Sequence, residues 1–166
     1  MTAPLTVPAA NPDERVEQLL SAYDDAMEVA LRGVEHAYTD ADGDWAERMH
    51  AAIARLVDLA VASPRLTRLC TVEIFDAGQL GLDRRDGWMA RFMRLCELGY
   101  AQAAPAGLST RLVPQVVAGA VFELIRSHVV ENRLDHLPEA LPTATLIVLS
   151  PVVGRDEALR IAAPAA

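Results

Sequence analysis

The sequence predicts an all-α protein, one bundle of about six to seven helices, on three observations. Apolar residues recur at helical spacing from Val16 to Ala162. No stretch alternates with period two for long enough to make a strand, and Pro, Gly and Asp gather where the helical periods break.

The first helix is predicted over Pro12–Tyr38. Asn11 stands at the N-cap position, Pro12 presets φ at the first helical residue, and Asp13 and Glu14 sit at the positive end of the helix dipole. Its apolar stripe is Val16, Leu19, Leu20, Tyr23, Met27, Ala30, Leu31, Val34 and Tyr38. Asp40, Asp42, Gly43 and Asp44 break the chain. Asp44 and Glu47 have capping-box spacing for a second helix, Trp45–Ala62, with Trp45, Met49, Ile53, Leu56 and Leu59 on its buried face.

Ser63-Pro64 restarts a third helix, expected to run to near Gly78. It carries Leu66, Leu69, Cys70, Val72, Ile74 and Phe75 on several sides, the pattern of a buried central rod. A connector, Gly78 to Leu82, leads to a fourth helix over Asp83–Ala103 with Trp88, Met89, Phe92, Leu95 and Cys96 inward. Pro105 and Gly107 end that helix, and Ser109 or Thr110 caps the fifth.

The fifth helix carries Val113, Val116, Val117, Ala120, Val121, Leu124, Ile125, His128 and Val129, a stripe wider than one core-facing side needs. A sixth, Leu137–Ser150, is equally apolar, and Arg155–Ala162 forms a short terminal turn. Two such neighbours must each hide two faces, and a short chain has little core to cover them. The expected cover is a second copy of the chain, giving a homodimer through the last two long helices. Val117, Gly119, Val121, Leu124, His128, Ile147 and Leu149 are the expected seam.

At 166 residues the chain reads as one domain, 12–162, with a flexible leader at 1–11 and a tail at 163–166. Apolar residues are 52% and charged residues 23%, a globular balance without an uninterrupted apolar run of bilayer length. The first residues lack the basic start and apolar core of a signal peptide, so the expected location is cytoplasmic, without a membrane partner. All basic residues are arginine and the net charge is −8. The close basic pair Arg84-Arg85 is flanked by Asp83 and Asp86, so direct nucleic-acid binding is not expected. Cys70 and Cys96 lack CxxC spacing and a nearby His, so no metal site or cofactor is expected, and both read as small hydrophobes. His36, His50 and His136 have no ligand spacing either.

Several phrases, in order, resemble the C-terminal regulatory domain of TetR/AcrR-type bacterial repressors. They are Trp45-Ala46-Glu47-Arg48-Met49, Ala62-Ser63-Pro64-Arg65-Leu66, Val72-Glu73 with Ala77-Gly78, and Arg84-Arg85. Ala118 to Ile125, Leu137 to Pro142 and Leu149 to Gly154 close the set. The family also has an N-terminal helix-turn-helix, and the eleven residues before the first helix do not hold one. The resemblance therefore implies a TetR-C-like ligand-binding and dimerisation bundle without its DNA-binding head.

It also implies where a ligand lies: between the first helix, the second to fourth, and the fifth. That arrangement would unite Tyr23, Met27, Leu56, Leu69, Cys70, Glu73, Phe92, Cys96 and Phe122 around a hydrophobic small molecule. Trp88 would add a further aromatic wall. Glu73, mid-helix in an apolar rod, reads equally as a polar anchor in the pocket or as a carboxylate bonded to an Arg to fix packing. Arg126 and His128 could anchor an anion, though a surface or interface place suits them better. No phosphate loop, nucleophile elbow or nucleophile with a visible base is present, so no catalytic residue is assigned. Two other readings stay open: an enzyme acting on a hydrophobic substrate, with Glu73 and Tyr23 as first candidates for acid and base, and a partner module that modulates a full-length regulator.

Overall fold

The computed structural model describes residues 11–102 and 112–163. Among them are seven α-helices, two 3-10 segments and no strand. The helices are α1 (Pro12–Asp40), α2 (Trp45–Ala62), α3 (Pro64–Thr71), α4 (Gly78–Gln102), α5 (Leu112–Val130), α6 (Leu141–Val153) and α7 (Arg155–Ala162). The 3-10 segments are Glu73–Ala77, between α3 and α4, and Leu134–Ala140, before α6. Residues 1–10 of the expected leader at 1–11, the breakers Pro105 and Gly107, the caps Ser109 and Thr110, and residues 164–166 of the expected tail at 163–166 lie outside the described residues.

Local signals set the starts of the first helices. Pro12 and Pro64 each stand in a first turn, where a missing N–H costs nothing. Asn11 occupies the N-cap position, but its side chain makes no cap bond. The capping box at α2 is complete: the Asp44 carboxylate accepts from Ala46 N at 2.8 Å and Glu47 N at 3.2 Å, and Glu47 accepts from Asp44 N at 3.1 Å.

The third helix departs from expectation. It stops at Thr71, and Val72 turns out of helical geometry with φ −125°. Thr71 donates its hydroxyl to Thr67 O at 2.7 Å, and Thr67 donates to Ala60 O at 2.8 Å. The Thr67 bond ties α3 to the end of α2 and the Thr71 bond lies within α3, while Leu66 lies on the surface. The central rod is therefore a short helix followed by a 3-10 turn, with one buried side. The expected Gly78–Leu82 connector is instead the first turn of α4, laid directly on the 3-10 segment. A Cβ at Gly81 would stand 2.0 Å from the Ile74 carbonyl oxygen, so glycine is what allows the two backbones to touch.

The sixth helix also starts later than its pattern suggested. Leu134–Ala140 holds Pro138 and is 3-10, and α6 begins with Pro142 in its first turn. Prolines this close together deny N–H donors to a continuous α-helix.

The main core joins α1, α2, α4, α5, α6 and α7 around Val34, Met49, Ile53, Tyr100, Val117, Val148 and Leu149. Trp45 packs edge-on to Tyr100 with centroids 6.2 Å apart, and Tyr100 donates to Val148 O at 2.7 Å. A second cluster packs Leu20, Tyr23 and Leu31 of α1 with Ile74, Ala77 and Trp88. A third joins Val57 and Ala60 of α2 to Ile125 and Leu137.

Averaged over whole segments, Val113–Val130 and Leu134–Val153 reach a mean hydropathy of 1.2, long and apolar enough to cross a membrane on length and composition alone. Only 22% and 28% of these stretches are buried within the chain. Glu123 and Arg126 interrupt the first, and Asp135, His136 and Glu139 the start of the second. On these two helices Val116 and Val130 are the large apolar side chains left exposed among the described residues.

Candidate functional site

A cavity of about 200 Å³ lies among α1, α2, α3, α4 and α5, with Val148 of α6 reaching it from behind. Helix α1 contributes Ala26, Met27, Ala30 and Val34, and α2 contributes Met49, Ala52, Ile53, Leu56, Leu59 and Ala60. Thr67, Cys70 and Thr71 line it from α3. Met89, Phe92, Met93, Leu95 and Cys96 come from α4, and Val117, Ala118, Val121, Phe122 and Ile125 from α5. Val29 and Leu66, 61% and 45% exposed, mark where it meets the surface.

No charged side chain lines this space among the described residues. Its polar atoms are two thiols and the hydroxyls of Ser63, Thr67 and Thr71, and both threonines already donate to helix carbonyls. Burial pushes the Cys70 thiol up to about 12 and the Cys96 thiol up to about 11, so both are neutral and poorly nucleophilic at pH 7. Such a wall can accept an apolar body by desolvation. It offers no acid or base for proton transfer near neutral pH.

Six of the nine residues expected at a pocket line this cavity: Met27, Leu56, Cys70, Phe92, Cys96 and Phe122. Three do not. Glu73 opens the 3-10 segment with its side chain 43% exposed, 3.5 Å from Arg68 Nε. The expectation of a mid-helix carboxylate in an apolar rod failed because the helix had already ended, which turns residue 73 outward. Tyr23 is fully buried, but in the cluster with Ile74 and Trp88. Its hydroxyl has no partner among the described residues, and burial foremost raises its pKa well above the usual phenol range. Leu69 packs on that same cluster, and so does Trp88, whose indole donates to Asp24 at 2.8 Å.

The seam residues are also divided. Val117 and Leu149 are 6% and 0% exposed within one chain, taken up by its own core, so neither is free to meet a partner. Val121, Leu124, His128 and Ile147 are half-buried and Gly119 is exposed. His128 donates Nδ1–H to Leu124 O at 2.8 Å. The outward apolar residues of α5 are Val116, 69% exposed, and Val130, 51% exposed.

Sequence reasoning missed the broad contribution of α2 and the pair Met89 and Met93. The α4 stripe Met89, Phe92, Met93, Cys96 was the available signal, since it repeats at i, i+3, i+4 and i+7 with soft, adaptable side chains. The remaining histidines serve structure. His50 Nδ1 is hydrogen-bonded to the buried Thr145 hydroxyl at 2.8 Å, and burial lowers its pKa. His36 pairs with Asp40, and His136 is bonded to Glu139, which raises its pKa. Among the described residues no three His, Cys, Asp or Glu side chains gather as a metal set.

No family model, no curated protein and no solved structure matches this chain.

Proposed function

We propose that this chain is a small-molecule-binding domain, similar to the regulatory part of TetR/AcrR-type repressors, whose ligand has a compact hydrophobic body. The observation that carries the reading is the cavity of about 200 Å³ with no charged wall among the described residues. An apolar void of about 150 Å³ stays dry and takes up benzene in a well-packed protein, so a space of this size and lining favours an apolar guest over water. The enzyme reading loses its named residues, because Glu73 and Tyr23 stand outside the cavity.

A homodimer completes the proposal. Val116 and Val130 on α5, with Ile147 on α6, leave an apolar surface that a second copy covers by two-fold packing. Stable interfaces of this kind bury about 1,200–2,000 Å² in total.

The test is thermal denaturation with decan-1-ol, a neutral apolar probe. At about 100 times its Kd a ligand bound only by the folded state adds about 2.7 kcal/mol, which raises Tm by roughly 5–10 °C at this size. Ala30→Phe, which places a ring in the cavity from half-buried α1, should fold and lose that increment. No increment in wild type, or an equal one in the variant, overturns the reading.

A further inference from the structure

A second cleft, about 690 Å³, opens between α4 and α5. Met89, Met93, Ala118 and Phe122 line both it and the inner cavity, so the two spaces adjoin at these four side chains. The outer cleft differs in chemistry, because Arg85 and Arg126 face it together with Asp86 and Glu123.

The arginines lie inward of their acids. Arg85 and Arg126 have side chains 28% and 38% exposed, whereas Asp86 and Glu123 are 66% and 61% exposed. The Arg85 guanidinium carbon stands 5.5 Å from the Phe75 ring centre and 5.9 Å from that of Phe122. The two rings meet edge to face at 6.3 Å. A cation is thus held over aromatic faces at the rim of an apolar cavity, where guanidinium tolerates partial desolvation better than ammonium. The pairs with Asp86 (2.7 Å) and Glu123 (3.1 Å) are local and solvent-facing, the class worth little to stability, so a competing anion can exchange for them.

We propose that the ligand is an aliphatic carboxylate, its chain in the inner cavity and its head at Arg85 and Arg126 in the outer cleft. The proposal rests on the inner cavity being the ligand site. A planar carboxylate matches the guanidinium geometry in two parallel bonds. Asp86 and Glu123 set an upper limit on charge, because a doubly charged phosphate head would meet two carboxylates beside the two cations.

The experiment is calorimetric titration of wild type with decanoate, decan-1-ol and decyltrimethylammonium, repeated on Arg85→Gln and on Arg126→Gln. Wild type should bind decanoate at least tenfold tighter than decan-1-ol, as charge-assisted bonds to the head require, and the cationic probe weakest. Across hexanoate, octanoate and decanoate, affinity should rise about fourfold per added methylene. Each variant should lose about tenfold for decanoate and clearly less for decan-1-ol. Arg85 packs on two rings and its variant can be unstable, so the half-buried Arg126 provides the second, independent reading. Equal wild-type affinity for decanoate and decan-1-ol overturns this inference and leaves the cavity reading standing. Failure of both probes to bind overturns both. An equal fold-loss of decan-1-ol and decanoate binding in Arg126→Gln overturns the head-group assignment, because a neutral hydroxyl gains less from a guanidinium than a carboxylate does.

Discussion

Gly99→Ala should destabilise the fold by about 1–5 kcal/mol, although alanine is the better helix former. A Cβ at position 99 would lie 2.2, 2.4 and 2.5 Å from Cε2, Cδ2 and Cζ2 of Trp45, well inside contact distance. The indole cannot swing away freely. Its Nε1–H donates to Leu95 O at 3.3 Å, and its ring meets Tyr100, which is itself bonded to Val148 O. Overpacking costs about 1–3 kcal/mol, and loss of the Trp45 bond and edge contact costs about 0.5–1.5 kcal/mol each. Exchanging Gly for Ala within a helix returns about 1 kcal/mol. The net figure corresponds to a Tm lowered by roughly 2–20 °C at this chain length. Urea denaturation followed by circular dichroism measures it, with Gly119→Ala as control. Position 119 has nothing within 4 Å of a Cβ, so that change should be neutral or stabilising by up to about 1 kcal/mol. A Gly99→Ala protein as stable as wild type would refute the close packing of α4 on α2.

Tyr23→Phe removes a buried hydroxyl that has no partner among the described residues, so the variant should be at least as stable as wild type. A loss above about 1 kcal/mol in urea would mean the hydroxyl is bonded. Burial raises both thiols above the ordinary thiol range, and the folded state therefore binds their protons more tightly than the unfolded state. Their contribution is complete below pH 9 and declines as pH rises toward about 11 and 12, so Cys70→Ala with Cys96→Ala should flatten the alkaline fall in Tm. An unchanged slope would contradict their burial. Val116→Glu puts a charge on the exposed apolar face of α5 and should give monomer in sedimentation at micromolar concentration, where the proposed dimer predicts that wild type sediments as two chains. Monomeric wild type would remove the dimer from the account.

The parts of this fold written in local chemistry were legible in the sequence. The Asp44–Glu47 box, Pro12 and Pro64 act within one turn of themselves, so their meaning does not depend on distant residues. The end of α3 was not legible. Residues 64–77 carry apolar side chains on several sides, so their spacing fixes neither where the helix stops nor which way Glu73 faces. Helices α5 and α6 posed the same difficulty. They are apolar nearly all round, and a stripe without a polar edge has no phase, so inward Val117 and Leu149 looked like outward seam residues. Tyr23 was placed on the correct face of α1. That face runs along a 29-residue helix, however, and only its stretch from Ala26 to Val34 lines the cavity, so Tyr23 falls about one turn short of it.

The central claim is that an apolar guest occupies the inner cavity, and the methionines report on it most directly. Met27, Met49, Met89 and Met93 all line that space, four of the five methionines in the chain. Carbon-13 spectra of the methionine methyls, recorded while decan-1-ol is added, should show all four signals moving together and saturating at one equivalent per chain. Shifts confined to one or two of them, or a linear drift that never saturates, would contradict the account.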